Sequence, residues 1–363
     1  MSAGLEGVVA AETVLSQVDG QTGRLIVRGR DIENIAGHHS FEAMAALLWR
    51  DLAPQDLEES AVASALSDAR ASAFALTPAL LTAAKGLSLV DGLRTGLSLL
   101  PENENSHIDV TAAIPVFIAA LHRARQGLDP VAPEAGRGHV ADFLHMLNGV
   151  DASDLTIASL ETYLLTVADH GMNASTFTAR VVAATLAGTV ASTVAALCAL
   201  SGPLHGGAPG PVLDMLDEIG EPSNIAAWID QHLGDGERLM GFGHRVYRTR
   251  DPRADVLKTV VAHIQNTRER MDLAERVEKA AIAELAQRYP NRNLDTNVEL
   301  FTAVLLEGIG LPRDLFTPVF AMGRVLGWTA HIFEQIDSAR LIRPASRYVG
   351  PAPDGETLVA IAG

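Results

Sequence analysis

Apolar residues recur along most of the chain at three- and four-residue spacing, the period of a helix with one buried face, while residue-by-residue alternation is scarce. Ser40 precedes a run with Phe41, Met44, Leu47 and Leu48 on one face, which predicts a serine-capped helix. Ser153 predicts a second in the same way, through Leu155, Leu160, Tyr163 and Leu164. A more polar helix is expected from about Thr267 to Arg288, and Pro318 suits the first turn of another that continues to about Asp337. The one expected strand pair lies near the start, where RLIVRG at 24–29 follows the turn signal DGQTG at 19–23. Gly127 to Gly138, rich in Gly, Pro and Ala, reads as a surface loop. The stretch from Val181 to Leu200 is uncharged and long enough to span a bilayer, but it is mostly Ala, Thr, Ser, Val and Gly. It is therefore expected to be a buried core or interface helix. The pattern predicts an all-α protein with a small N-terminal β-hairpin.

Composition narrows the function classes. A chain of 363 residues, 48% of them hydrophobic, can bury a large core as two domains or one large one, and is not disordered. Lys and Arg number 28 against 44 Asp and Glu, a net charge of −16, which argues against general nucleic-acid or membrane-surface binding. The single cysteine, Cys198, allows no intrachain disulfide and fits a reducing compartment, so a cytoplasmic location is expected. The N-terminus has no basic segment followed by an apolar run, hence no signal peptide is read there.

Against this acidic background, arginines 245, 248, 250 and 253 cluster directly after His244 in GFGHRVYRTRDPR. A local basic site in an acidic protein suits a small anion rich in carboxylate or phosphate. His205 stands in GPLHGGA, and Asn297 to Glu299 form NVE. Glycines beside each histidine let backbone and ring approach a ligand closely, and two imidazoles with a carboxylate suit proton chemistry. Arg324 is a lone charge in the apolar run VFAMGRVLGWTAHIF, where an unpaired ion would cost several kcal/mol. It is expected to meet an anion. The Gly- and Pro-rich HGGAPGP at 205–211 is the best hinge candidate.

These stretches resemble the signatures of citrate synthases, and the resemblance continues in VDGQTGRLIVRGRDIENIA, in ADHGMNASTFTARV at 168–181, and in GRVLGWTAHIFEQ through RPASRYVG. It implies a two-domain helical fold, with residues 1–205 and 305–363 in a large domain, 206–304 in a small one, and the active site in the cleft. It further implies a homodimer or higher homo-oligomer, oxaloacetate and acetyl-CoA as partners, acetyl-CoA as a substrate, and neither cofactor nor metal. By resemblance, Glu299 takes the methyl proton of acetyl-CoA, His205 holds the resulting enol through the thioester oxygen, and His244 polarises the ketone of oxaloacetate. His170 matches a histidine that hydrogen-bonds oxaloacetate. Arg253 and Arg324 match arginines that grip substrate carboxylates, and Arg343 one that reaches the neighbouring subunit's site. The backbone of Met240, Gly241, Phe242 and Gly243 matches the segment lining the adenine, and Arg248 a residue facing CoA phosphate.

The sequence departs from the better-known pattern in three places: Glu299 where aspartate is usual, APG at 208–210, and Ala345 where arginine is usual. Other readings remain beside citrate synthesis. A 2-methylcitrate synthase would use propionyl-CoA with the same residues, since one methylene in a pocket is worth only about 1–3 kcal/mol. A non-catalytic relative binding CoA or an acid is favoured only by the departures. A metalloenzyme ligated by His170, His205, His244 and Glu299 lacks any local HExxH or CxxC spacing.

Overall fold

The computed structural model describes residues 4, 5, 7–206, 209–244, 246, 247, 249–264 and 267–351. The expected hairpin forms: strand β1 (Ser16–Asp19) pairs antiparallel with β2 (Arg24–Val27), Ser16 opposite Val27 and Asp19 opposite Arg24. Arg28 and Gly29 then turn through positive φ, so the strand stops short of Gly29 and a two-residue third strand, β3 (Arg30–Asp31), is added to the sheet.

Helices follow almost without interruption: α1 (Phe41–Trp49), α2 (Glu59–Phe74), α3 (Thr77–Ala83), α4 (Leu89–Leu97), α5 (Ser106–Arg125), α6 (His139–Asn148) and α7 (Asp154–Val167). After them come α8 (Ala174–Ala183), α9 (Thr189–Leu200), α10 (Pro209–Ile219), α11 (Ile225–Gly234), α12 (Pro252–Val261), α13 (Arg268–Arg288), α14 (Val298–Gly308) and α15 (Phe316–Asp337). The two serine caps are as expected. Ser40 Oγ accepts from Ala43 N at 2.9 Å and Ser153 Oγ from Thr156 N at 3.2 Å, each satisfying a first-turn donor. Leu155, placed on the inner face by its spacing, is instead exposed.

The uncharged stretch 181–200 is not one helix. α8 ends at Ala183, and the chain turns through Leu186 at φ 61° and Gly188 at φ 96° before α9 begins. The two helices pack on each other, so the apolar content is buried in a helical hairpin. Among the described residues no helix is long and apolar enough to cross a membrane.

The core gathers around α5 and α15, both apolar on nearly every face. α5 contacts α2, α4, α6 and α9, while α15 contacts α1, α5, α7, α8 and α9. One close approach matters for the site. A Cβ on Gly327 would stand 2.3 Å from Ala168 O, and one on Gly323 2.7 Å from Leu164 O, so α15 lies against the C-terminal end of α7 backbone to backbone. Gly327 N donates to Ala168 O at 3.1 Å. Arg324, between these glycines, is thereby carried to the end of α7. A second group of helices, with α14 packed on α10, α12 and α13, reaches α7 through α12 and α14.

Candidate active site

Asp251 and Asn297 assemble one side of the site. Asp251 caps α12 by accepting from Arg253 N at 3.1 Å, and its other oxygen accepts from Val298 N at 3.2 Å, which joins the N-termini of α12 and α14. Asn297 caps α14, its Oδ1 accepting from Glu299 N at 2.9 Å, while its Nδ2 donates to Gly243 O at 3.0 Å. Gly243 N donates to Asp295 O at 2.8 Å and Asn297 N to Gly241 O at 3.0 Å, so the GFG segment lies antiparallel to the segment carrying NVE. Residues some fifty positions apart are thus stitched together, and His244 and Glu299 share one region.

His244 is held in one tautomer. The backbone N–H groups of Val246 and Tyr247 donate to its Nδ1 at 3.0 and 3.2 Å. A nitrogen that accepts carries no proton, so the network assigns the ring proton to Nε2 and leaves it as a donor. Burial and Arg253 push the imidazole down to about 4, and it is neutral at physiological pH. His170, just beyond α7, stands edge-on to it with ring centroids 5.4 Å apart, and its Nε2 lies 3.2 Å from the Tyr247 hydroxyl. Burial first, then Arg253, His244 and Arg324, hold His170 well below the usual imidazole range.

His205 approaches from the turn after α9. Its Nε2 accepts from Ser175 N at the start of α8, at 3.3 Å, and lies 2.9 Å from Ser175 Oγ. The contact places the ring proton on Nδ1. Burial and Arg324 lower this ring also to about 4. Trp328 Nε1 donates to the same Ser175 Oγ at 3.1 Å, which ties the arrangement to α15.

Three neutral imidazoles here face two buried cations. Arg253 is 4% exposed and pairs in two-pronged fashion with Asp251, Nε to Oδ1 at 3.0 Å and Nη2 to Oδ2 at 2.8 Å. Arg324 is 2% exposed, yet among the described residues no carboxylate forms an ion pair with it. Its Nε donates to Val167 O at 2.5 Å, a carbonyl at the negative end of α7, and its guanidinium sits 4.9 Å over the Phe320 ring. Burial lowers its affinity for a proton to about 10, with Asp169 opposing the fall. Glu299 occupies the first turn of α14. Burial, partly offset by Arg253, raises its carboxyl to about 7. A group balanced near neutrality can both take and return a proton. Among the described residues no cluster of three or more His, Cys, Asp or Glu side chains is arranged to hold a metal ion.

Sequence reasoning named His170, His205, His244, Arg253, Glu299 and Arg324, and the fold brings these together. Met240 to Gly243 form the loop leading into His244, with Gly241 and Gly243 at φ 84° and 78°. Arg343 is exposed in the segment after α15. Arg248 lies outside the described residues. Ser175, Tyr247 and Asp251 were missed. Only Asp251 carried a local signal, an aspartate directly before a Pro at the start of a helix.

Comparison with known proteins identifies the family. The family profile described as "Citrate synthase, C-terminal domain" matches residues 4–345. The chain is 39% identical to "Citrate synthase 2" of Bacillus subtilis, covering 96% of this chain and 95% of that one. It is 35% identical to a "2-methylcitrate synthase" of Mycobacterium tuberculosis, covering 96% and 90%. A citrate synthase structure from Thermotoga maritima superposes with a TM-score of 0.87 at 36% identity, covering 98% and 97%. A ternary complex of the Thermoplasma acidophilum citrate synthase with carboxymethyl coenzyme A and oxaloacetate gives 0.85 at 27% identity, covering 98% of each chain. The chain belongs to the citrate synthase family.

Proposed function

We propose that this enzyme condenses acetyl-CoA with oxaloacetate and water to give citrate and CoA. The observation that carries the reading is Arg324: a buried guanidinium that pairs with no carboxylate among the described residues, beside the neutral imidazoles of His170 and His205, suits a dianionic keto acid. Oxaloacetate supplies two carboxylates for Arg324 and the free edge of Arg253. Its ketone oxygen accepts from His244 Nε2–H, which draws electrons from the carbon to be attacked. Glu299 removes a methyl proton of acetyl-CoA, and the developing enolate oxygen accepts from His205 Nδ1–H. The enolate carbon bonds to the ketone carbon as the thioester carbonyl re-forms, the former ketone oxygen gains a proton to become the citrate hydroxyl, and water hydrolyses the thioester to release CoA. Both histidines work as neutral donors, consistent with the low values that burial imposes. The division into a large domain (1–205, 305–363) and a small one (206–304), with a cleft that closes over oxaloacetate, is part of the same proposal, as are assembly to at least a homodimer and contact of Met240–Gly243, Arg248 and the partner-directed Arg343 with ligands.

The test is release of free thiol from acetyl-CoA and propionyl-CoA, each with and without oxaloacetate. Oxaloacetate-dependent release, faster from acetyl-CoA, is expected. Faster release from propionyl-CoA would make the enzyme a 2-methylcitrate synthase, a name one relative carries, and no release from either would refute the reading.

Arg253→Lys is expected to be far from conservative. Lysine can replace the charge but not the fork that pairs with Asp251 through two nitrogens and presents its remaining edge to a ligand. The KM for oxaloacetate should rise about tenfold or more, in line with about 1.5–3 kcal/mol for a hydrogen bond to a charged group, while that for acetyl-CoA changes less. An unchanged oxaloacetate KM would show that Arg253 only supports Asp251.

A further inference from the structure

The N-terminal hairpin touches both segments that carry the paired histidines His170 and His244. On one side, Ser16 of β1 brackets His170 in the chain: its Oγ–H donates to Asp169 Oδ2 at 2.5 Å and its Oγ accepts from Gly171 N at 3.0 Å. On the other, the hairpin turn seats the segment after His244. A Cβ on Gly20 would fall 2.0 Å from Val246 O and 2.6 Å from its carbonyl carbon, and one on Gly23 2.7 Å from Thr249 Oγ1 and 2.9 Å from Arg250 O. Arg250 Nη2 also donates to Glu33 Oε1 at 2.9 Å, just beyond β3.

Val246 is one of the two residues whose backbone N–H fixes His244 Nδ1. The turn thus abuts the peptide that sets the tautomer and direction of that ring. Gly20 does not have positive φ, so its backbone alone would admit any L-residue, and only the neighbouring carbonyl forbids a side chain there. The turn itself is stiff. Asp19 Oδ1 accepts from Gln21 N and Thr22 N at 3.0 and 3.1 Å, and the flanking pairs hold the two strands in register.

We infer that the hairpin is a bracket that sets the spacing and orientation of His170 and His244, with Gly20 as a positioning residue for His244 and Ser16 for His170. The inference rests on the condensation proposed above. It assigns a role to a part of the chain that contributes no group to the reacting atoms.

Gly20→Ala tests it. The added methyl must displace the Val246 carbonyl, and a misplacement of about 1 Å can cost about 10²-fold in rate. Turnover with oxaloacetate should fall about 10- to 100-fold, and the oxaloacetate KM should rise. Exchange of the acetyl-CoA methyl protons into deuterated water, measured with a saturating non-reacting oxaloacetate analogue, should persist, because Glu299 and His205 stand on other segments. Ser16→Ala should give a smaller loss of the same kind through His170. Gln21→Ala, in the same turn with an exposed side chain, should match the parent. Imidazole 15N shifts provide a reading independent of turnover: His244 should show the Nε2–H tautomer in the parent and a changed environment in Gly20→Ala.

Parental turnover and parental 15N shifts in Gly20→Ala would overturn the bracket. So would a loss shared equally by condensation and proton exchange and tracking a fall in Tm, which would mark a general loss of folding. If Gly20→Ala does not fold, Ser16→Ala decides, and a parental oxaloacetate KM there overturns the inference. A parent that releases no thiol refutes the proposed reaction instead, and the 15N comparison still decides the bracket.

Discussion

Glu299→Gln is expected to lose about 10²- to 10⁴-fold in kcat, the usual worth of a positioned base, while retaining its affinity for oxaloacetate. Glutamine keeps the shape and the α14 cap but cannot accept the methyl proton. Exchange of acetyl-CoA methyl protons into deuterated water, with a non-reacting oxaloacetate analogue bound, should fall in parallel with turnover. The parent's kcat/KM should climb as pH rises toward a plateau above about 7, where the carboxyl is ionised, and that limb should vanish in the variant. Glu299→Asp should fall between, because the shorter arm leaves the carboxylate short of the methyl group. Parental turnover in Glu299→Gln would place the base elsewhere. An aspartate variant faster than the parent would mean that the longer side chain detunes the enzyme.

The same residue carries a stability cost with a definite sign. Its folded-state carboxyl sits at about 7 against an ordinary value of 4.5. Folding therefore favours the protonated form, and stability is lost as pH rises through that interval. Glutamine has no proton to lose. Glu299→Gln should show a Tm near the parent's at pH 4.5 and an increasing advantage up to about pH 7, constant above. The pairing of lost activity with gained stability separates a functional group held in an unfavourable setting from one that merely packs.

Different parts of this molecule were legible for different physical reasons. α1, α7, α13 and α15 could be read because a buried stripe imposes its period on the sequence, and because a serine before the stripe is a local signal. The break between α8 and α9 could not. It depends on Leu186 adopting positive φ, which side chains normally avoid and which the packing of two helices enforces here. The third strand was hidden because Arg30 and Asp31 form too short a run to show alternation. His205, His244, Glu299 and Arg324 stood out as charges or imidazoles among glycines and apolar residues. Their partners did not: Ser175 and Tyr247 are ordinary residues of an α8 start and a loop until folding sets them against His205 and His170. The relation between the hairpin and the histidines, across some 150 to 230 positions, exists only in the fold.

Arg324→Met is expected to stabilise the protein and sharply weaken its use of oxaloacetate. Among the described residues the buried guanidinium has the Val167 carbonyl and the Phe320 ring in contact and Asp169 as a more distant countercharge, with no carboxylate paired to it. Desolvating such an ion costs several kcal/mol. Methionine fills a similar volume without that penalty, and leaving one helix-end carbonyl short of a donor costs about 1–3 kcal/mol. The balance favours the variant, so its Tm without ligand should rise by a few degrees. Ligand response should invert the ranking. Oxaloacetate at about 100 times its Kd should stabilise the parent by about 2.7 kcal/mol, and the same concentration should stabilise the variant by less than about 1 kcal/mol. Losing one partner of a buried charge pair costs about 2–5 kcal/mol, which puts the fall in kcat/KM for oxaloacetate at about 30-fold or more. Arg324 also presses on His205, behind burial as the larger cause. That imidazole should therefore titrate somewhat above about 4 in the variant, a change visible by NMR independently of turnover. A lower Tm would show that the cation is held by interactions within the chain and is not poised for a ligand. An oxaloacetate-dependent Tm shift equal to the parent's would remove Arg324 from the carboxylate site.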